Sequence, residues 1–557
     1  MENNMSVQAS KLLKNRYFLY MTAFFAGMSV MAVEIGASRL IAPFFSSSQI
    51  VWTIIIGIIM IALAIGYVWG GRLADKQKDP AKLYVRILIA AIWLALIPLV
   101  SKYIIAGITL FLALFVTSNF LVIATFICCI VLFVFPLVLL GTVSPALVKF
   151  AATNLSENGK VVGELSALNT VGSILGTFLP TFVTIPAFGT SRTFLVFAFI
   201  LAAIAATYFV VEKRHLIKGP AVAMLVLALI FVPLHNSIAF WDNSILYEGE
   251  SVYNYLQISE DEDNYYFRTH VVVGAQSIRS KDGENDQWYY SMASAAPLLA
   301  GIKPVASAEY TEQINADSKV LILGLAMGTY CQLVYDYYGY DVQITGVEID
   351  QKIVNLARGK YFELSDKVDV VVTDGRAFLA YGNNEKYDVI VVDAYQDITI
   401  PFYMCTQEFF TLVKNHLTDD GVLVVNLNMR AEQEGNINDY LIDTIYKSFG
   451  GSPIFKVDVS GTSNSLFYVS STGKNLKELL KNAINDPAVA VGIASFKDIE
   501  ARMSVCQPKG KYFFTDDKAP VELIGAKAMD ELIAEGLGEF RQILKERGFW
   551  GLVDYLK

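Results

Sequence analysis

Long apolar runs fill the first 235 residues. Two of them, Tyr17 to Phe45 and Ile50 to Gly70, exceed the roughly 20 residues that a helix needs to cross about 30 Å of hydrocarbon. Five more lie at residues 83–100, 120–140, 161–187, 193–211 and 221–234, and a run at 103–116 is short enough to be re-entrant or an eighth span. The pattern predicts a transmembrane bundle of about seven to eight helices over residues 17–235, preceded by a cytoplasmic N-terminus at residues 1–16.

The pattern changes after residue 235. Short β-prone runs alternate with polar turns up to about residue 300, which predicts a small N-terminal β-hairpin domain at 236–300. From Asp317 strands alternate with helical stretches, and the strands are expected near Val320, Gln343, Val368, Tyr387, Val422, Ile454 and Leu466. This alternation predicts an α/β fold with a Rossmann-like, doubly wound and mostly parallel sheet at 301–525. A helical tail at 526–557 follows.

Charge divides the chain in the same place. Residues 1–235 carry 16 Lys and Arg against 7 Asp and Glu, and residues 236–557 carry 28 against 46. The balance is therefore +9 and −18, which sums to the net charge of −9. An acidic soluble half argues against nucleic acid as a partner, because phosphates require the opposite sign.

Basic residues near the span ends predict a multi-pass protein of the cell membrane with the N-terminus inside. Lys11, Lys14 and Arg16 precede the first run, and five more basic residues follow the second, whereas residues 42–49 are uncharged. Seven spans would place Lys149 and the other later basic residues inside and the C-terminal half outside, and eight would reverse both. We expect a cytoplasmic C-terminal half, because the small soluble ligand indicated by the strand-end residues described below is held in the cytosol.

Cysteine and histidine usage gives no metal pattern. The five cysteines show no CxxC or ligand-like spacing and there are only four His, so neither a zinc site nor a disulfide framework is predicted. Within the apolar half, Gly172 and Gly176 lie four residues apart, which is typical of close helix packing and of helix dimer faces. A homodimer is one possible assembly.

The candidate chemistry lies at the ends of predicted strands. The first strand leads into the small-residue loop Gly324 to Gly328, and the second ends in Glu348 and Asp350, about 20 residues later, where an acid can accept hydrogen bonds from ribose hydroxyls. Asp374 and Asp393 end the next two strands. Because ligands of open α/β sheets bind at the carboxyl ends of strands, these acids are expected to line one crevice.

These residues resemble the spermidine synthase family, including its membrane-fused bacterial members. The shared motifs occur in family order: Ser251 to Asn254, the loop at Gly324, Val347 to Asp350, Asp374 to Arg376, Tyr387 to Tyr395, Ile400 to Phe402, Thr406 to Phe410 and Thr515 to Glu522. The resemblance implies an aminopropyltransferase that moves an aminopropyl group from decarboxylated S-adenosylmethionine to a diamine or polyamine, releasing methylthioadenosine. It also implies a dimer.

The resemblance implies a role for each matched position. Asp393 and Tyr395 would be catalytic, with Asp393 taking the proton of the acceptor amine. The cofactor side would comprise Gly324, Gly328, Glu348, Asp350, Asp374 and Gly375. The acceptor side would comprise Gln396, Asp397, Tyr253, Asn254, Tyr289 and Asp516.

The chain also departs from the family pattern. Met327 stands where the family has an Asp in the glycine loop, and Gln396 stands where it has a second acid. A site with fewer acids holds a free diamine less tightly, and Met327 would not repel the carboxylate of intact S-adenosylmethionine. Two alternatives therefore stay open, an S-adenosylmethionine-dependent methyltransferase acting on an amine or membrane-derived substrate, and a non-catalytic nucleoside-sensing domain that regulates a transporter-like bundle.

Overall fold

The computed structural model describes residues 12–555 except 13–14, 77–78, 152–157, 215, 233–236, 272–273, 284–288, 308–309, 383, 396–399, 432 and 487–495. The described chain divides into two compact units. The first comprises residues 1–242 and 543–557, and the second comprises residues 243–542.

The first unit is a helical bundle. Six of its helices are long and apolar enough to cross a membrane: α1 (Arg16–Phe45), α2 (Gln49–Lys76), α3 (Ala81–Ala113), α4 (Phe120–Ala151), α5 (Gly159–Phe188) and α6 (Thr190–Val211). A shorter apolar helix, α7 (Lys218–Phe231), follows. A π-helical segment interrupts α4 at Ile130–Val134 and α5 at Pro180–Thr184.

One sequence-based expectation for this unit is wrong. The runs at 83–100 and 103–116 are not separate segments, because the first run and residues 103–113 of the second lie in the single 33-residue helix α3. Ser101 and Lys102 between the runs are buried within the helix, and the Lys102 ammonium donates a hydrogen bond to the Ser237 carbonyl oxygen at 2.8 Å. A polar pair with a partner inside the bundle does not end a helix, so no eighth or re-entrant segment forms here.

Close packing of α5 on α1 uses the predicted glycines. A Cβ on Gly172 or Gly176 would overlap the backbone carbonyls of Phe24 and Met28 in α1. The face formed by Gly172 and Gly176 is thus occupied by α1 of the same chain.

The two ends of the bundle differ in charge. At one end Arg214 pairs with Asp79 at 2.6 Å, and Lys149 pairs with Asp75 at 3.7 Å. The connections at the other end, residues 46–48, 114–119 and 189, contain no charged residue.

The second unit begins with a four-stranded antiparallel meander of order β1-β2-β3-β4. The strands are β1 (Ile245–Glu250), β2 (Tyr255–Glu260), β3 (Asn264–Arg268) and β4 (Ser277–Ser280). Two short helices, Tyr289–Ala293 and Ala295–Leu299, lead into the main sheet. Residues of the meander, of these helices and of the main sheet share one hydrophobic core, so the meander packs within the larger unit.

The main sheet has eight strands in the order β12-β10-β11-β9-β8-β5-β6-β7. Its strands are β5 (Lys319–Leu323), β6 (Gln343–Glu348), β7 (Asp369–Val372), β8 (Tyr387–Val392), β9 (Leu417–Leu427), β10 (Ile454–Asp458), β11 (Ser465–Ser470) and β12 (Ser504–Val505). Strands β5 to β9 pair in parallel, and β10 to β12 join antiparallel at one edge. The expected Rossmann-like sheet therefore forms, with one more strand than predicted.

Helices between these strands cover the sheet. They are Thr329–Tyr338, Gln351–Ala357, Gly375–Tyr381, Gln407–Asn415, Ile437–Ser448, Leu476–Asn485 and Phe496–Arg502, and the long helix Val521–Tyr555 ends the chain. Because β5, β6, β7 and β8 are parallel neighbours, their carboxyl ends lie along one edge of the sheet. The loops that follow these ends form the candidate site.

Candidate active site

The glycine loop and the end of β8 approach each other closely. Gly324 has φ +94° and Gly328 has φ +76°, a region that favours glycine. A Cβ on Gly324 would lie 2.5 Å from the Asp393 carbonyl oxygen. Only a glycine at this position lets the two strand ends come together.

Glu348 ends β6 beneath this loop. Its Oε2 accepts a hydrogen bond from the Ala326 amide at 3.0 Å, and its Oε1 accepts one from the Asp350 amide at 3.1 Å. Burial raises the pKa of the Glu348 carboxyl to about 7, against the opposing effect of these amides. The two hydrogen bonds thus fix the orientation of the Glu348 carboxylate, and its oxygens keep further lone pairs that can accept from a ligand.

Asp350 adds an unused acceptor next to Glu348. Its Oδ1 accepts from the Lys352 amide at 2.9 Å and caps the helix Gln351–Ala357. Its Oδ2 is buried and has no hydrogen-bond partner among the described residues. A buried acceptor without a donor is costly unless a ligand satisfies it, so these residues fit a ligand that presents hydroxyl groups.

Asp374 has a local structural role as well as its predicted one. It caps the helix Gly375–Tyr381, because its Oδ1 accepts from the Ala377 amide at 2.8 Å. A Cβ on Gly375 would lie 3.1 Å from the Met404 methyl carbon, so little space is left there. Binding of adenine by Asp374 and Gly375 stays a prediction.

Asp393, at the end of β8, has two neutral hydrogen-bond partners. The Tyr289 hydroxyl donates to its Oδ2 at 2.9 Å, and the Asn426 amide Nδ2 donates to its Oδ1 at 2.8 Å. Burial raises the pKa of the Asp393 carboxyl to about 7, although both donors act in the opposite direction. An acid with this pKa can accept a proton near neutral pH.

A small cavity adjoins Asp393. It has a volume of about 10 Å³, enough for about one water molecule. Its lining includes Ser277, Tyr289, Tyr290, Gly324, Asp393 and Asn426. Tyr289 and Tyr290 thus form aromatic walls beside the Asp393 carboxylate, in a space that holds about one water molecule.

Two other predicted residues make contacts away from this cavity. The Tyr395 side chain is buried, and its hydroxyl donates to the Met404 carbonyl oxygen at 2.9 Å, which is a structural contact. Asp516 receives two hydrogen bonds from the Arg376 guanidinium, at 2.7 and 2.5 Å, and this pairing lowers the pKa of the Asp516 carboxyl. Both side chains are thus engaged in contacts within the protein, and the catalytic role of Tyr395 and the acceptor role of Asp516 stay predictions.

Of the other residues predicted for the acceptor side, Tyr253 and Asn254 lie between β1 and β2. Tyr253 is exposed, and the Asn254 carbonyl oxygen accepts from the Ser251 amide in a turn between β1 and β2. Gln396 and Asp397 lie outside the described residues. Met327, at the position where the family has an Asp, is buried, and its amide donates to the Ser277 hydroxyl at 3.3 Å.

Sequence reasoning missed Asn426 and its neighbour Asn464. Asn426 lies in β9, which pairs with β8, and Asn464 precedes β11. The Asn464 Nδ2 donates to the Asn426 Oδ1 at 2.9 Å. A signal existed, because Asn426 is a polar residue in the otherwise apolar run from Val422 to Leu427.

The fold defines a class, α/β proteins with a Rossmann-like sheet of methyltransferase type. Comparisons with known proteins narrow this class. The spermine/spermidine synthase domain matches residues 310–456. A probable polyamine aminopropyl transferase of Bifidobacterium longum is 42% identical over 356 residues, which cover 60% of this chain and 76% of that protein.

The chain therefore belongs to the spermine/spermidine synthase family and is a transferase of the polyamine aminopropyltransferase type.

More distant relatives were also found. A polyamine aminopropyltransferase of Oceanobacillus iheyensis is 25% identical over 382 residues, covering 65% of each chain. An N-terminal histidine N-methyltransferase of Emericella nidulans is 26% identical, covering 53% of this chain and 56% of that protein. Among solved structures, a probable spermidine synthase from Corynebacterium glutamicum has a TM-score of 0.35 at 17% identity, covering 46% of this chain and 94% of that one.

Proposed function

We propose that this protein transfers an aminopropyl group from decarboxylated S-adenosylmethionine to a small amine and releases methylthioadenosine. The observation that carries the proposal is the position of Asp393, at the end of β8 beside the glycine loop, between two neutral donors and next to a cavity with aromatic walls. The close relationship to a probable polyamine aminopropyl transferase supports the same reaction.

The chemistry requires a base at this point. An ammonium group has no free electron pair, so the acceptor must lose a proton before its nitrogen can attack the carbon next to the sulfonium. A new C–N bond then forms while the C–S bond breaks, and the sulfur leaves with its electron pair as a neutral thioether. In our proposal the proton of the amine passes to Asp393.

The nucleoside would lie along the neighbouring strand ends. Glu348 and the unpartnered oxygen of Asp350 would accept hydrogen bonds from the ribose hydroxyls, and Gly324 and Gly328 would let the loop approach the ligand. Asp374 and Gly375 would contact the adenine. This arrangement recognises the nucleoside through its hydroxyl groups and its ring.

The test is product analysis with the full-length protein and an Asp393→Asn variant. We expect methylthioadenosine from decarboxylated S-adenosylmethionine and a diamine, and a loss of about 100-fold or more in kcat for the variant, because general-base contributions are of this size. Asp419→Asn, the same change at an exposed position, serves as the control. An Asp393→Asn enzyme with undiminished turnover would refute the role of Asp393.

Methyl transfer is a second candidate. Met327 offers no charge where the family carries an acid, so intact S-adenosylmethionine, with its methionine carboxylate, would meet no repulsion there. The similarity to an N-terminal histidine N-methyltransferase also supports methyl transfer. Release of S-adenosylhomocysteine instead of methylthioadenosine would favour this candidate, and the absence of both products with retained nucleoside binding would favour a sensor.

We further propose that the helical unit crosses a lipid bilayer as a multi-pass anchor in the cell membrane. Six helices have the length and apolarity to do so. With the N-terminus inside, the six long helices return the chain to the same side, and the basic residues Arg16, Lys149 and Arg214 all lie at the inner end, as the positive-inside rule requires.

Contacts made by residues before and after the shorter helix α7 support a seventh crossing. Tyr208, near the end of α6, stacks on Tyr84 of α3 with ring centroids 4.0 Å apart, at the charged end of the bundle. Ser237, after α7, contacts Lys102 of α3, which is roughly 27 Å further along that helix. The chain therefore runs toward the uncharged end between α6 and residue 237.

This path has a consequence for sidedness. If the charged end is cytoplasmic, the chain leaves the helical unit on the opposite side, and the residues that follow lie outside. We propose this orientation in place of the cytoplasmic one expected from the location of the cofactor. It requires that the nucleoside substrate be available on the outer side.

A further inference from the structure

A chain of two asparagines holds the carboxylate of Asp393. The Asn464 Nδ2 donates to the Asn426 Oδ1 at 2.9 Å, and the Asn426 Nδ2 donates to the Asp393 Oδ1 at 2.8 Å. Asn426 is buried on β9, the strand that pairs in parallel with β8. The three side chains thus form one directed line of hydrogen bonds across the carboxyl edge of the sheet.

The direction of this line depends on Asn464. A side-chain amide can present either its oxygen or its nitrogen after a rotation of about 180° about its last bond. Asn464 donates to the oxygen of Asn426, so the nitrogen of Asn426 must point at Asp393. Among the described residues, Asn464 is the donor to the Asn426 Oδ1, so without a donor at residue 464 Asn426 can turn its oxygen toward Asp393.

The orientation of Asn426 affects which protonation state of Asp393 is favoured. An N–H donor stabilises the carboxylate, whereas an amide oxygen in the same place repels it and accepts a hydrogen bond only from the protonated acid. Both oxygens of Asp393 bind neutral groups, so no full positive charge among these partners compensates for the loss of one donor. Loss of either donor therefore changes the protonation of Asp393 more than it would if a cation lay beside the carboxylate.

We propose that Asn464 is a positioning residue for the reaction: through Asn426 it keeps Asp393 ionised and turns the other carboxylate oxygen toward the acceptor. Oδ1 is occupied by Asn426, which leaves Oδ2, shared with the Tyr289 hydroxyl, to face the amine. Neither asparagine touches the reacting atoms in this arrangement. The proposal rests on the proposed role of Asp393 as the base.

The sharpest test is Asn464→Asp, which preserves the shape of the side chain and replaces its donor by an acceptor. Asn426 is then expected to rotate, giving its Nδ2 to residue 464 and its Oδ1 to Asp393. We expect the acidic limb of the kcat against pH profile to move up by about one pH unit or more, since a hydrogen bond to a charged group contributes that much. The KM for the nucleoside substrate should stay within about twofold, because Glu348 is untouched.

Two further variants separate positioning from folding. Asn475→Asp makes the same change at the cap of the helix Leu476–Asn485, where Asp caps equally well, and should leave the pH profile unchanged. Asn464→Ser retains a donor and should restore part of the activity lost in Asn464→Asp. A fall in kcat for Asn464→Asp without movement of the acidic limb would overturn the proposal, as would an unchanged profile.

A measurement that does not depend on turnover distinguishes this proposal from the proposed function. Infrared titration of the full-length protein gives the pKa of the Asp393 carboxyl, with the band identified by its loss in Asp393→Asn. We expect this pKa to be higher in Asn464→Asp than in the wild type. If the wild type produces no methylthioadenosine but the pKa still rises, the proposed function fails and the link from Asn464 to Asp393 stands; an equal pKa in both proteins would refute the link.

Discussion

At the scale of single residues, the site depends on where an acid is buried and what it contacts. Asp393 and Glu348 both have a pKa raised to about 7 by burial, yet their partners differ. Glu348 accepts hydrogen bonds from backbone amides, and Asp393 accepts them from the Tyr289 and Asn426 side chains. The first arrangement suits a fixed acceptor for a ligand, and the second suits a group that exchanges a proton.

The pKa of Asp393 predicts the pH dependence of the reaction. The carboxylate is the active form, so kcat should fall as the pH drops below about 7 and the group becomes protonated. Initial rates at saturating substrates across the pH range would measure this limb. A rate that stays constant well below the pKa of Asp393 would show that another group accepts the proton.

The pKa of Glu348 predicts the pH dependence of nucleoside binding. An ionised carboxylate accepts hydrogen bonds from hydroxyls more strongly than the neutral acid, so affinity for methylthioadenosine should increase as the pH rises through about 7. Glu348→Gln should weaken binding and remove the pH dependence, as measured by calorimetry. Glu262→Gln, at an exposed turn, is the matched control and should retain the wild-type curve.

At the scale of helices and strands, parallel pairing brings the site together. Strands β5, β6, β7 and β8 are neighbours, so residues that are up to 70 positions apart in sequence meet at one edge. The helical unit depends instead on close backbone packing. Helices α1 and α5 approach each other closely because Gly172 and Gly176 have no side chain to separate them.

This glycine contact predicts a local sensitivity to side-chain size. Gly172→Leu should destabilise the helical unit by about 1–3 kcal/mol, because the new side chain would overlap the α1 backbone. Gly163→Leu, in the same helix α5 with open space around it, should have little effect. Thermal unfolding in detergent compares the two, and nucleoside binding should survive in both; equal melting temperatures would contradict the close contact.

The sequence predicted the elements better than their contacts. Alternating apolar strands predicted the parallel sheet, and glycines and acids at strand ends predicted the residues around Glu348 and Asp393. Periodicity could not predict that the runs around Lys102 form one helix, because the partner of Lys102 is Ser237, far along the chain. It also could not predict that Asn426 contacts Asp393, since that contact depends on which strand lies beside β8.

At the scale of the whole molecule, charge and chain path together predict sidedness. The ion pairs Arg214–Asp79 and Lys149–Asp75 lie at one end of the helical unit. Ser237, close to the end of this unit in sequence, contacts Lys102 toward the other end. Basic residues favour the cytoplasmic side. The acidic second unit is then expected on the outer side of the membrane.

Cysteine labelling in intact cells tests this orientation. In a Cys506→Ser background, Asp282→Cys should react with a membrane-impermeant maleimide without permeabilisation, because Asp282 is exposed in the second unit. Lys76→Cys, exposed at the charged end of the helical unit, should react only after permeabilisation and is the matched control. The reverse pattern would restore the cytoplasmic orientation expected from the cofactor.

Among the described residues, Asp393 accepts hydrogen bonds from two neutral groups, and this has a physiological consequence in the outward orientation. A buried base that ionises near neutrality, in a domain that faces the medium instead of the buffered cytosol, makes turnover follow the acidity of the surroundings. Acidification of the environment by growing cells would then slow the enzyme directly, without any effector molecule.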